Sequence, residues 1–198
     1  MWRIGLTGSI ATGKSTVLNA FAALGVPVLS ADAAVAELYA GDAVAPVEKL
    51  FPGVTQNGII DRKLLSARLA ADPSGFKRLE AVVHPLVRAR IAQFMEAAAA
   101  SGAKLAVVEV PLLFESGHDY GFDAVGVTWV DPAIQRQRAL ARPGMTVDKL
   151  DAILARQLPQ ADKKARATYL FDTGMPVAKT VEMVAALVAN IHAKGPKK

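Results

Sequence analysis

The sequence predicts an α/β fold in which helices cover both faces of a five-stranded parallel sheet. Apolar runs typical of buried strands alternate with segments of helical periodicity, and the first strand leads through a glycine-rich loop directly into a helix. The chain has 198 residues, of which 52% are hydrophobic and 21% are charged. That composition is typical of a globular protein, and the length suits one domain with a single main core.

Five strands are predicted from aliphatic and β-branched runs. They lie at residues 2–7, 26–29, 105–110, 124–130 and, as the weakest, 169–171. Between the first two, Val17, Leu18, Phe21 and Leu24 recur at helical spacing, and Gly25 suits the position just after a helix end. Because strands alternate with helices along the chain, the sheet should be parallel.

The middle of the chain, residues 33–102, is predicted to be a helical insertion. Turn-forming residues interrupt it at 51–53 and at 57–58, and Pro85 is expected to begin a new helix because proline is favoured in a first helical turn. His84, just before that proline, suits a capping or packing role. Further helices are predicted at residues 132–142, 147–158 and 177–193.

The charge distribution favours a small substrate over nucleic acid. The formal net charge is +5 at pH 7, yet the lysines and arginines are scattered, apart from a short tail at Lys194, Lys197 and Lys198. No basic stripe interleaved with aromatic residues can be found, and no nucleic-acid-binding module is evident. These features predict a phosphate-rich small molecule as the substrate.

Several kinds of site and location are disfavoured by residues that the sequence lacks. Without cysteine, the chain has no disulfides or thiolate metal sites, as is compatible with a reducing compartment. Its three histidines, at 84, 118 and 192, lack the close spacing of metal ligands. No export signal follows Met1, and no apolar stretch reaches the ~18 residues of a spanning helix. We expect a cytoplasmic location and no membrane partner.

A phosphate-binding loop is predicted where the first strand meets the first helix. The segment Gly8 to Ser15 reads GSIATGKS and fits the P-loop pattern G-x-x-x-x-G-K-S. Backbone N–H groups of such a loop hold phosphate oxygens, and the helix N-terminus adds partial positive charge. Lys14 would reach the β- and γ-phosphates, the Ser15 hydroxyl suits Mg²⁺, and Thr16 adds a backbone contact.

Asp32 has two interpretations that its position alone does not separate. It follows the second strand, and the carboxyl ends of parallel strands face one crevice, so its carboxylate can meet an acceptor hydroxyl beside the loop. There it would orient the hydroxyl and accept its proton. Alternatively, Asp32 caps a helix that starts near Ala33.

Two arginines are predicted to close over the phosphates. Arg138 and Arg142 lie one helical turn apart, and Arg142 opens the turn at Pro143-Gly144. Arginines that close on a γ-phosphate neutralise charge and exclude water. The alternative is a solvated basic helix face, which we favour for Arg136.

Together these motifs closely resemble the dephospho-coenzyme A kinase family over nearly the whole chain. Besides the loop, Asp32 and the two arginines, the resemblance rests on His84-Pro85-Leu86, Pro111 to Glu115 and Arg156-Gln157. It implies Mg²⁺-assisted phosphorylation of the ribose 3′-hydroxyl of dephospho-CoA by ATP, the last step of coenzyme A synthesis. It also implies a fold similar to nucleoside monophosphate kinases, with a core at residues 1–32, 103–141 and 167–198, an acceptor-binding region at 33–102 and a lid at 142–166.

The resemblance also implies roles for individual residues. The catalytic set would be Lys14, Asp32, Arg138 and Arg142, with Asp32 as the base. ATP would contact Gly8, Ala11, Thr12, Gly13, Lys14, Ser15 and Thr16. The acceptor would contact Asp32, His84, Arg88, Leu112, Leu113, Phe114 and Glu115.

At two positions the sequence departs from the family pattern. Ser30 stands where the family often has aspartate, and Ala11 where it usually has glycine. Ala11 fits only with a negative φ or with modest left-handed strain. Both departures leave Lys14, Ser15 and Asp32 in place.

Two rival functions are also compatible with the sequence. One is another small-molecule P-loop kinase, such as a nucleoside or nucleotide kinase, with the same cradle and lid. The other is a nucleotide-gated binding module or GTPase-like switch. The sequence has no guanine-reading N-K-x-D motif, which disfavours such a switch. We expect ATP and dephospho-CoA as partners, no nucleic acid, and either a monomer or a weak homo-oligomer.

Overall fold

A computed structural model describes residues 1–194 and contains a five-stranded sheet and a small hairpin. The strands are β1 (Trp2–Gly8), β2 (Val28–Ser30), β3 (Thr55–Gln56), β4 (Ile59–Ile60), β5 (Leu105–Glu109), β6 (Ala124–Trp129) and β7 (Tyr169–Asp172). The sheet order is β2-β5-β1-β6-β7, and β1 pairs in parallel with both β5 and β6. The predicted five-stranded parallel sheet is confirmed, and it places the carboxyl end of β1 at the centre.

Nine helices occur within residues 1–194. They are α1 (Lys14–Ala23), α2 (Ala31–Leu38), α3 (Val44–Leu50), α4 (Arg62–Ala71), α5 (Gly75–Ala100), α6 (Pro132–Leu140), α7 (Val147–Leu154), α8 (Gln160–Ala165) and α9 (Val177–Lys194). None of these described helices combines the length and apolar character needed to cross a membrane. Lys197 and Lys198 of the predicted basic tail lie outside the described residues.

The main core lies between the sheet and the pair α1 and α9. Ile4, Leu6 and Phe21 are fully buried, and the rings of Phe21 and Phe171 meet edge to face with centroids 6.0 Å apart. Helix α9 buries Val184, Val188 and Ile191 in the same cluster. The spacing of these residues, four and three positions apart, presents one apolar stripe to the sheet.

By its internal contacts the chain divides into two compact units. The first comprises residues 1–29 and the chain from Met95 onward, and it contains the phosphate-binding loop. The second comprises Ser30–Phe94. In the second unit, the buried Ile60 donates its N–H to the carbonyl of Tyr39 at 2.9 Å, and Asp61 donates to the carbonyl of Val54 at 2.8 Å, which anchors the β3-β4 hairpin. Each unit therefore has its own buried residues.

The prediction that Pro85 begins a new helix is wrong. Pro85 lies inside α5, which continues for 26 residues. Val83, Val87 and Ile91 follow one another at four-residue spacing and are all buried. This packing on one face outweighs the hydrogen bond that a proline removes from a helix interior.

Two further segments differ from the prediction. Asn57 and Gly58, expected only as a break, form the two-residue turn of the β3-β4 hairpin, with left-handed φ values of 51° and 78° that suit these residue types. The helix predicted over 147–158 ends at Leu154. A second, short helix, α8, then follows, with Pro159 as its N-cap residue.

Candidate functional site

The predicted loop connects β1 to α1 at the centre of the sheet. Helix α1 begins at Lys14, and Gly13 is its N-cap residue with a left-handed φ of 83°. The first turn of α1 contains no acidic residue, so nothing on it neutralises the partial positive charge of the helix N-terminus. Loop amides and helix end together form a site suited to phosphate.

Ala11 adopts the strained of the two conformations that the sequence left open. Its φ is 60°, a left-handed value that costs a residue with a Cβ about 1 kcal/mol. Its side chain is buried in a small apolar cluster with Ala139 and Leu150, which offsets part of that strain.

Buried threonine hydroxyls hydrogen-bond the loop to the sheet. Thr12 donates its hydroxyl to the Ser9 carbonyl at 2.8 Å, and its Oγ1 lies 2.7 Å from Oγ1 of Thr128 on β6. The Thr128 hydroxyl also donates to the Thr7 carbonyl at 3.4 Å, so either threonine can be the donor between the two hydroxyls. Thr173, just after β7, donates to the Thr12 carbonyl at 2.9 Å. The loop is thus hydrogen-bonded to two neighbouring strand ends.

We expect Gly8→Ala to weaken ATP binding about tenfold or more, because disrupting a buried hydrogen bond costs about 1–3 kcal/mol. A Cβ on Gly8 would lie 2.1 Å from Oγ1 of Thr128 and 2.7 Å from Oγ1 of Thr12, so the bond between these hydroxyls must break. Titration calorimetry with Mg²⁺·ATP measures the loss. The control is Gly41→Ala, whose Cβ would meet only the Glu37 carbonyl oxygen at 3.5 Å. Equal affinity in Gly8→Ala and wild type would show that the threonine pair does not shape the loop.

The three polar residues that follow Gly13 differ in exposure. Lys14 is half-buried, and its Nζ donates to the carbonyls of Gly8 and Ser9 at 3.0 and 3.1 Å, so the ammonium group lies on the loop itself. Ser15 is exposed in the first turn of α1, and Thr16 is half-buried. The loop thus places one positive charge and one accessible hydroxyl together.

The two predicted arginines have different surroundings. Arg138 on α6 donates through Nη2 to the Thr173 carbonyl at 2.8 Å and through Nη1 to Thr173 Oγ1 at 3.3 Å. Since Thr173 also bonds the Thr12 carbonyl, Arg138 is connected to the phosphate loop through one residue. Arg142 lies just beyond α6, is exposed, and its side chain bonds no group among the described residues.

The predicted acceptor segment after β5 is part core and part surface. Leu112 is 43% exposed, whereas Leu113 is buried. Phe114 is half-buried with the Arg166 guanidinium 5.5 Å from its ring centre. Only part of this segment therefore has side-chain surface available to a substrate.

Glu115 at the end of this segment forms a buried ion pair that the sequence did not reveal. Its Oε1 accepts the Leu158 N–H at 2.8 Å and lies 2.7 Å from Nζ of Lys163, whose side chain is 1% exposed. Burial by itself raises the pKa of Glu115, but the bonds from Lys163 and Leu158 outweigh it and hold that pKa below the ordinary value of 4.5. In the sequence ADKKA, nothing distinguishes Lys163 from a surface lysine.

We expect Lys163→Met to lower the free energy of unfolding at pH 7 by about 3 kcal/mol, since removing one partner leaves an uncompensated buried charge. Because the pKa of Glu115 is lower in the folded protein, the ion pair stabilises the folded state at pH values above 4.5, the ordinary pKa of glutamate. That stabilisation disappears as the pH falls through the pKa of Glu115 in the folded protein. Urea unfolding between pH 7 and pH 3 should therefore show the difference shrinking at low pH. The control is Lys104→Met, at an exposed position. A difference that stays constant with pH would contradict the role of Glu115.

Asp32 lies in the second unit, and the capping interpretation is wrong. Helix α2 begins at Ala31 with Ser30 as its N-cap residue, so Asp32 is already inside the first turn. Its carboxylate is exposed and, within residues 1–194, forms no hydrogen bond or ion pair. His84 is exposed and Arg88 half-buried, one turn apart on α5. Each of these three side chains has surface available to a ligand.

Together, the parallel sheet and the phosphate loop on its central strand define a P-loop kinase fold. The profile of the dephospho-CoA kinase family matches residues 2–177. The dephospho-CoA kinase of Rhodopseudomonas palustris is 54% identical over 170 residues, which cover 86% of this chain and 85% of that protein. This chain belongs to the dephospho-CoA kinase family.

Solved structures agree with the fold. A crystal structure of a Thermus thermophilus protein superposes with a TM-score of 0.79 at 32% identity, covering 96% of both chains. Shikimate kinase from Bacteroides thetaiotaomicron superposes with a TM-score of 0.55 at 19% identity, covering 95% of this chain and 98% of that one. The predicted kinase fold and the resemblance to dephospho-CoA kinases are thus confirmed.

Proposed function

We propose that this protein transfers the γ-phosphoryl group of ATP to the ribose 3′-hydroxyl of dephospho-CoA, which gives coenzyme A in the last step of its synthesis. The observation that carries this proposal is a complete phosphate loop on the central strand of a chain that matches the dephospho-CoA kinase family over residues 2–177. Family membership favours this acceptor over a nucleoside, and transfer over a nucleotide-gated switch.

The loop supplies most of the catalytic electrostatics. Phosphoryl transfer passes through a loose transition state, so a kinase acts chiefly by positioning and by charge stabilisation. The α1 N-terminus and the loop amides hold the phosphates, and Lys14 neutralises charge on the transferred group. Lys14 must then exchange its bonds to the Gly8 and Ser9 carbonyls for bonds to phosphate oxygens.

The residues present also fit Mg²⁺. Ser15 offers an exposed, hard hydroxyl oxygen at the start of α1, and Mg²⁺ commonly takes one or two protein oxygens with the rest of its shell from phosphates and water. Held there, the ion would supply positive charge that neutralises the phosphates during transfer. We assign the protein contact to Ser15.

The acceptor side is assigned to side chains that remain accessible. Asp32 orients the 3′-hydroxyl and takes its proton, while His84, Arg88 and the segment 112–115 hold dephospho-CoA. Within that segment Leu112 has the most exposed side chain. Glu115 is already engaged, since its carboxylate accepts the Leu158 N–H and forms an ion pair with Lys163. Arg138 and Arg142 stabilise the phosphates, with residues 142–166 as the lid. We place the reaction in the cytoplasm, where ATP is abundant, and expect a monomer or weak homo-oligomer.

A product analysis tests the proposed function. The protein is incubated with ATP and Mg²⁺ and, side by side, with dephospho-CoA or a panel of nucleosides and nucleotides. We expect a mass increase of one phosphate on dephospho-CoA that requires both ATP and Mg²⁺. Phosphorylation of a nucleoside alone would retain the reaction and reject the substrate, and ATP binding without transfer to any acceptor would favour a switch.

A further inference from the structure

Two glutamines hold both polar groups of one residue in the phosphate loop. The Ile10 N–H donates to Oε1 of Gln157 at 2.9 Å. The Ile10 carbonyl accepts from Nε2 of Gln135, also at 2.9 Å. Gln135 lies on α6 and is buried, and Gln157 lies between α7 and α8. The loop is therefore clamped by two segments far from it in sequence.

A third glutamine completes the arrangement around Gln135. Gln160 donates through Nε2 to Oε1 of Gln135 at 2.7 Å and accepts the Val130 N–H at 3.2 Å. Each amide orientation is fixed, because a backbone N–H can only donate and a carbonyl can only accept. Gln157 therefore acts as an acceptor, whereas Gln135 must donate to Ile10 and accept from Gln160.

The clamp divides the amides of the loop into two groups. The Ile10 N–H is occupied by Gln157. Within residues 1–194, by contrast, the N–H groups of Ala11, Gly13, Ser15 and Thr16 donate to no protein group. The Thr12 N–H is also occupied, by the Ser9 carbonyl at 3.4 Å, so the four free amides lie on either side of Thr12 and of Lys14. The Gln157 side chain thus removes the Ile10 amide from those that remain for phosphate.

Gln135 also sets the direction of one free amide. The Ile10 carbonyl and the Ala11 N–H belong to the same peptide plane, and in a trans peptide they point in opposite directions. A bond from Gln135 to that carbonyl therefore turns the Ala11 N–H away from Gln135. Ala11 itself is left-handed, and such a conformation persists only where surrounding contacts hold it.

We propose that Gln135 and Gln157 are positioning residues for ATP: they fix the Ile10 peptide groups, hold the strained Ala11 and aim its amide at the triphosphate. The inference rests on the proposed ATP-binding role of the loop. Neither glutamine needs to touch substrate. Their bonds make the part of the chain that follows β6 a component of the phosphate cradle.

Affinity measurements test the clamp. In Gln135→Met and Gln157→Met the polar ends are lost at nearly constant volume, and we expect the Kd for Mg²⁺·ATP to rise about tenfold or more. The Kd for dephospho-CoA should stay within about twofold, because a misaligned phosphate loop leaves acceptor contacts intact. Gln137→Met, at an exposed position on the same helix, is the control and should bind ATP normally.

The polarity of each bond gives a second, nucleotide-free test. Glutamate at 157 still accepts the Ile10 N–H, so Gln157→Glu should keep the Tm within about a degree or two of wild type. Glutamate at 135 cannot donate to the Ile10 carbonyl, so Gln135→Glu should lower the Tm by about 5 °C or more.

Two outcomes would overturn the inference. One is wild-type ATP affinity in both methionine variants, and the other is an equal Tm in the two glutamate variants. A wild-type protein that binds no ATP would instead refute the proposed function, and the two Tm values would still report on the clamp. The two failures are therefore distinguishable.

Discussion

Replacing Asp32 with asparagine should lower kcat for dephospho-CoA phosphorylation by about 10²-fold or more, the usual range for a positioned acid–base group. Asparagine keeps the shape of the side chain and can still accept a hydrogen bond, but it cannot take a proton. The Kd for ATP should stay nearly unchanged, because phosphate binding belongs to the loop between β1 and α1. Single-turnover kinetics and ATP titration calorimetry separate the two effects.

The control for Asp32→Asn is Asp42→Asn, which removes another exposed carboxylate from the same unit. Normal turnover in both variants would reduce Asp32 to a favourable charge in the first turn of α2. In that case its removal should cost only about 0.3–1 kcal/mol of stability, the typical size of a helix-dipole interaction. Thermal unfolding of the two variants measures that remaining contribution.

Replacing Lys14 with methionine should lower kcat/KM by about 10²-fold or more, as the loss of a preorganised charge donor does in other active sites. Unlike Asp32→Asn, this change should also weaken ATP binding, since one ammonium group serves ground state and transition state alike. The hydrogen bonds from Lys14 to the Gly8 and Ser9 carbonyls are lost as well, so the loop also loses two of its internal contacts. Steady-state kinetics with both substrates measure the effect.

Lys14→Arg provides the sharper comparison for this position. Arginine retains the charge, but its planar fork cannot replace a compact ammonium group in a narrow loop. We expect intermediate ATP affinity and a kcat well below wild type. If Lys14→Met turned over normally, the phosphates would have to be held elsewhere, and the assignment of the loop would fail.

Local signals explain why the centre of the fold and the phosphate loop could be predicted. The loop is one contiguous segment, and the apolar residues of the strands before and after it are enough to predict those strands. Ala11 shows the limit of such reasoning: the sequence predicts that its φ is either negative or strained, but only its packing against Ala139 and Leu150 shows which.

Features that depend on distant contacts could not be predicted. Pro85 looks like a helix start until the buried Val83 and Val87 on either side are seen to keep α5 continuous. Gln135 looks like an ordinary polar residue in a charged helix, yet it is buried against the Ile10 carbonyl. For Gln135, nothing nearby in the chain indicates its partner, because the loop that contains Ile10 follows β1 and α6 follows the neighbouring strand β6.

The burial of Lys163 has a consequence for chemical labelling. With its side chain 1% exposed and its amine against Glu115, this lysine is shielded from acylating reagents while the chain is folded. Acylation of Lys163 therefore requires local opening of the segment around α8. The rate of that acylation, relative to the rate at exposed lysines, measures how often the segment opens.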